Sequence, residues 1–110
     1  MAKADRLARL DDRRIELEAE YREALIAALR VAAAGKWGLF GHTADRAARA
    51  AAAPVLDELA EIGEAIDKAR AQLEMPPFAL QQEFLASRGR VSPQAPGEPK
   101  QAQAWLDRLV

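Results

Sequence analysis

Residues 35–43, Gly-Lys-Trp-Gly-Leu-Phe-Gly-His-Thr, hold Gly35, Gly38 and Gly41 of the six glycines, Trp37 of two tryptophans, and the only histidine. A lysine among glycines invites comparison with phosphate-binding loops. A Walker A loop, however, needs Gly-x-x-x-x-Gly-Lys followed by Ser or Thr after a strand. Here Lys36 follows the first glycine and helical patterns lie on both sides. What remains is an anion site built from backbone amides at a helix start, with Lys36, Gly41, His42, Thr43 and Arg46 around it. His42 has no second ligand at metal spacing, and a metal site needs three or four donors. It reads as a loop residue hydrogen-bonding at the helix start. Trp37, Leu39 and Phe40 are costly to leave in water, since burying each is worth about 1.5–3 kcal/mol. They either fold back as an apolar plug over the neighbouring helix ends or form a patch for a partner chain.

Other reactive types are less promising. Asp57, Glu58, Glu61 and Glu64 resemble a carboxylate metal centre only superficially, because such bundles also require Glu-x-x-His and that stretch has no histidine. They read as a solvated acidic face. Arg6, Arg9, Arg13 and Arg14 make a basic run, interleaved by Asp5, Asp11 and Asp12, so phosphate or nucleic-acid binding there is disfavoured. Ser87 and Ser92 lie far from His42 in sequence, and no carboxylate pair has a reason for a shifted pKa. There is no cysteine, which removes thiolate ligands and thiol nucleophiles. The expectation is a protein that is not an enzyme and holds no cofactor or metal.

The elements that must carry these residues read as all-α. From about residue 2 to 34 there is neither glycine nor proline, and Leu7, Leu10, Leu17, Tyr21, Leu25 and Leu29 fall on one helical face. Residues 3–23 alternate charge, with ladder spacings such as Asp5 to Arg9 and Glu18 to Arg22. Residues 24–34 are apolar almost all round, and Gly35 stands where a glycine ends a helix. A second helix is expected from about 44 to 74, capped by Thr43 and kinked or broken at Pro54. In it Val55, Leu59, Ile62, Ile66, Ala69 and Leu73 repeat at four and three, and Gly63 would admit another helix closely. Folding back at residues 35–42 unites the apolar halves in a long antiparallel hairpin. The same fold would bring the acids of 57–74, with a local charge of −4, beside the arginine-rich start of the first helix. Pro76 and Pro77 end the second helix. A third helix is expected at about 77–88, with Phe78, Leu80, Phe84 and Leu85, followed by a proline-rich connection from residue 90. A short C-terminal helix at about 99–109 would carry Trp105, Leu106 and Leu109. Residues 1–89 thus form the hairpin with its third helix, and 90–110 either belong to the same domain or dock on a partner.

The chain has 110 residues, half of them apolar, but alanine supplies much of that share and aromatics only 5%. A single domain with a thin core is expected, which favours oligomerisation or a partner that completes the core. Sixteen basic and seventeen acidic residues leave a net charge of −1, which offers no general attraction to polyanions. Residues 1–23 contain no apolar signal region, and no apolar run approaches the ~20 residues that span a bilayer. Composition therefore points to a cytoplasmic, bacterial-type helical protein that binds another protein or a second copy of itself. The partner-binding candidates are Trp37, Leu39, Phe40, Trp105, Leu106 and Leu109. Small-anion or nucleotide binding at residues 35–43 is the alternative.

Overall fold

The computed structural model describes residues 2–35, 39, 46–89 and 98–110. All its regular elements are helices: α1 (Ala2–Ala33), α2 (Arg46–Gln72), α3 (Ala79–Gly89) and α4 (Glu98–Leu109), with no strand among the described residues. At 1.5 Å per residue α1 is about 48 Å long, and it sets the 55 Å long axis of a molecule only 23 × 21 Å across. The radius of gyration of 15.9 Å exceeds the ~13 Å expected for a spherical domain of this length.

The core forms where four apolar faces converge. Leu17, Tyr21, Leu25 and Leu29 from α1 meet Leu59, Ile62 and Ile66 from α2, Phe84 from α3, and Trp105 and Leu106 from α4. Contacts between α1 and α2 run in opposite directions: Glu18 reaches Arg70, while Ala28 and Val31 border the same hollow as Val55 and Glu58. The α4 helix lies on another side of α1, also antiparallel. Pro99 is the nearest atom to a side chain that Gly35 would carry, and Arg22 donates to the Leu109 carbonyl.

Helix α3 runs back along α2. Phe78, at its start, donates its N–H to Asp67 Oδ1 at 3.1 Å. With its amide nitrogen turned inward, Gln81 donates to Asp67 Oδ2 at 3.1 Å and to the Gly63 carbonyl at 3.3 Å. A Cβ at Gly63 would sit 2.2 Å from the Gln81 amide, so any other residue there would displace that amide. Ring contacts join the layers edge to face: Tyr21 with Phe78 at 5.6 Å and Phe84 with Trp105 at 5.9 Å.

Helix ends follow from backbone chemistry. Gly35 has φ +77° and donates to the Ala32 carbonyl, as a left-handed cap does. α2 stops at Gln72, two residues short of the expected end, because Glu74 turns left-handed at φ 58°. The N–H of Met75 then bonds the Arg70 carbonyl, and that of Glu74 the Ala71 carbonyl, which is the Schellman pattern. α3 begins at Ala79 rather than 77, because Asp67 caps the N–H of Phe78 just after the two prolines. Pro54 does not split the second helix, since α2 is continuous through it. Ala50 and Pro54 are both exposed, so water can take the carbonyl that the missing N–H leaves free.

Candidate protein-interaction surface

Because Glu18 sits opposite Arg70 and α2 ends at Gln72, the residues of α1 before about Arg14 extend past the end of α2. All of residues 3–9 are exposed, Leu7 at 38%, and Leu10 is only half-buried. No described residue covers them. On this overhang Lys3, Arg6, Leu7, Leu10, Arg13 and Arg14 share one helical face, the continuation of the seam that packs Leu17 and Tyr21 against the body. Asp5, Asp12 and Glu16 lie round the back, and Asp11 stands at the edge beside Leu7, paired with Arg14. The overhang therefore shows a leucine pair set among cations.

An ion-pair cluster anchors its base. Arg70 Nε bonds Glu18 Oε2 at 2.8 Å, Arg14 bonds the same oxygen at 3.0 Å, and Arg14 also reaches Asp11 at 2.8 Å. Arg70 further donates to the Pro76 carbonyl at 2.9 Å and lies 5.3 Å above the Phe78 ring. Burial pushes the Glu18 carboxyl up, but the hydrogen bonds and charges of Arg70 and Arg14 outweigh it and hold the group below its ordinary value. Hydrogen bonds to Asp11 and then Glu18 raise the Arg14 guanidinium. This cluster is structural: it clamps α1, α2 and the turn before α3.

The acidic residues lie elsewhere. Asp57, Glu58, Glu61 and Glu64 are exposed on the outer face of α2 and make no ion pair with any described residue. They stand level with residues 24–31 of α1, so within one chain they do not lie beside its arginine-rich start. The apolar residues determine this register: seating Leu59, Ile62 and Ile66 against Tyr21, Leu25 and Leu29 outweighs exposed charge pairing, worth under about 1 kcal/mol per pair. Two hollows flank the acidic strip. One, of about 320 Å³, is lined by Ala24, Ala27, Ala28, Val31 and Val55 with Glu58 at its edge. The other, of about 210 Å³, lies between α2 and α3, with Leu56, Ala60, Phe84 and Leu85 in its walls and Glu64 beside them. Leu85 is 47% exposed.

The candidates from sequence are distributed unevenly. Leu39 is buried at 2% in the core cluster. Trp105 and Leu106 are buried within this chain and Leu109 is half-buried, because α4 turns its apolar face onto α1 and α3. Arg108 covers the Trp105 ring at 4.7 Å and pairs with Glu83 at 2.6 Å. Trp37, Phe40, Lys36, Gly41, His42 and Thr43 lie outside the described residues, and Arg46 is described as the first residue of α2. Sequence reasoning did not single out Leu7, Leu10 and Leu85 as surface. The expected helices, 2–34 and 44–74, are nearly equal in length, so nothing in the sequence signalled the overhang; it follows from the register of Glu18 on Arg70. Among the described residues no group of acids and histidine could hold a metal ion, and no helix is long and apolar enough to cross a membrane.

Comparison with protein-family models, with curated proteins and with solved structures finds no match to this chain.

Proposed function

We propose that this chain is a protein–protein interaction module, without catalytic activity of its own, that works by self-association in the cytoplasm. One observation carries the reading: the apolar seam of α1 continues through Leu10 and Leu7 beyond the point where α2 ends. A solitary helix of three to four turns is marginal in water, so a segment of this kind gains most of its stability when another chain covers it. The exposed Leu85 and the alanine-lined hollow add apolar surface of the same character.

Light-scattering mass after size exclusion tests this. The wild type is expected above the 12.0 kDa of one chain, and Leu7→Glu/Leu10→Glu is expected at that mass with its helices intact by circular dichroism. A wild type that stays at one chain mass up to hundreds of micromolar sinks the proposal. An oligomer that survives this change but is lost in Trp37→Ser/Phe40→Ser moves the interface to the loop.

A further inference from the structure

Two surfaces of opposite charge are displayed by the same molecule and do not meet within it. The overhang presents Lys3, Arg6 and Arg13 around Leu7 and Leu10, with Asp11 at the edge of that face paired to Arg14 and with Glu16 3.4 Å from Arg13. The outer face of α2 presents Asp57, Glu61 and Glu64, with Lys68 one turn beyond Glu64, beside the apolar hollow under Leu85. Building on the self-association reading, we propose that the overhang of each copy docks in the α2–α3 groove of a second copy. Leu7 and Leu10 enter the hollow beside Leu85, and Arg6 and Arg13 face Asp57, Glu61 and Glu64.

Dimensions and symmetry fit. From Arg14 back to Lys3 the overhang measures about 17 Å, and α2 from Gln72 back to Asp57 measures about 22 Å. A two-fold axis near the ends of both α2 helices sets the two bodies end to end, offset, with each overhang alongside the other's body. The incoming helix then runs parallel to α2, and setting Arg6 level with Asp57 brings Arg13 level with Glu64, one turn short of Lys68. The contact is isologous and closes at two copies. At about 210 Å³ the hollow is below the ~300–1,000 Å³ of small-molecule sites and suits aliphatic side chains. Opposite charges flanking an apolar anchor set both register and encounter rate.

Charge reversal tests the pairing. One variant carries Arg6→Glu/Arg13→Glu, the other Glu61→Arg/Glu64→Arg. All four sites are exposed on helices, and both residue types are good helix formers. Sedimentation velocity is expected to show the wild type as a dimer and each variant alone weakened at least tenfold. Mixing the two variants one to one should restore a dimer, because both interfaces of the mixed pair then join opposite charges. Variants that dimerise as well as wild type overturn this docking while leaving self-association standing. Variants that are monomeric alone and stay monomeric when mixed also overturn it. A monomeric wild type overturns both readings.

Discussion

Glu18 binds two arginines from two different helices, and its protonation state is therefore tied to the fold. Its carboxyl is held below the ordinary value, so the stability it contributes is present above that value and is lost as pH falls through the depressed one. The melting temperature should decline below about pH 4.5, the reference value for this carboxyl. Glu18→Gln should cost about 1.5–3 kcal/mol at pH 7, the range for hydrogen bonds to charged groups, and should shallow the acid limb of a stability-versus-pH curve. A variant with an unchanged acid limb would show that other carboxylates govern acid unfolding. The sequence spaces Glu18 for a ladder pair with Arg22, but the carboxylate pairs with Arg14 and Arg70 while Arg22 donates to the Leu109 carbonyl. Its partner Arg70 lies 52 residues away, and the pairing becomes visible only with the register of α1 on α2.

At the level of the elements, α2 ends on a strained residue. Glu74 occupies the left-handed region at φ 58°, a position that glycine fills in most such caps. Left-handed backbone costs an L-residue about 1–2 kcal/mol, partly offset by the greater freedom glycine has when unfolded. Glu74→Gly should therefore stabilise by about 0.5–1 kcal/mol and raise the thermal midpoint by ~2–4 °C. A lowered midpoint would mean that the Glu74 side chain makes a contact worth more than the strain. The helices themselves were largely legible: Leu17, Tyr21, Leu25 and Leu29, and Leu59, Ile62 and Ile66, repeat at helical spacing, and those residues form the core. The end of α2 was less so, because a Schellman turn at a glutamate carries no residue signature. Pro54 pointed to a kink or a break, and of the two the break does not occur, since α2 runs continuously through it. The acidic and basic stretches were legible as patches. Their failure to meet in one chain was not, because alanine-rich faces leave several registers open and only the packed leucines and isoleucines choose among them. Of the candidate site, the aromatic Trp105 was visible as a residue needing cover, and the cover turned out to be its own chain's Phe84 and Arg108.

Taken whole, the molecule has a body in which four helices share one core and a spar, the first dozen residues of α1, that shares none of it. The two parts should therefore differ sharply in how long they keep their amide protons. In a dilute monomer, exchange into deuterated water should be protected in α1 from about Leu17 onward, at free energies approaching global unfolding. Residues 3–13 should exchange within seconds, as an unsupported short helix does. The step near Arg14 gives a direct clock for association: if raising the concentration slows exchange in residues 3–13 and leaves the body untouched, the spar is what another chain grips. Uniform protection along α1 at every dilution would mean that the spar holds its own shape alone.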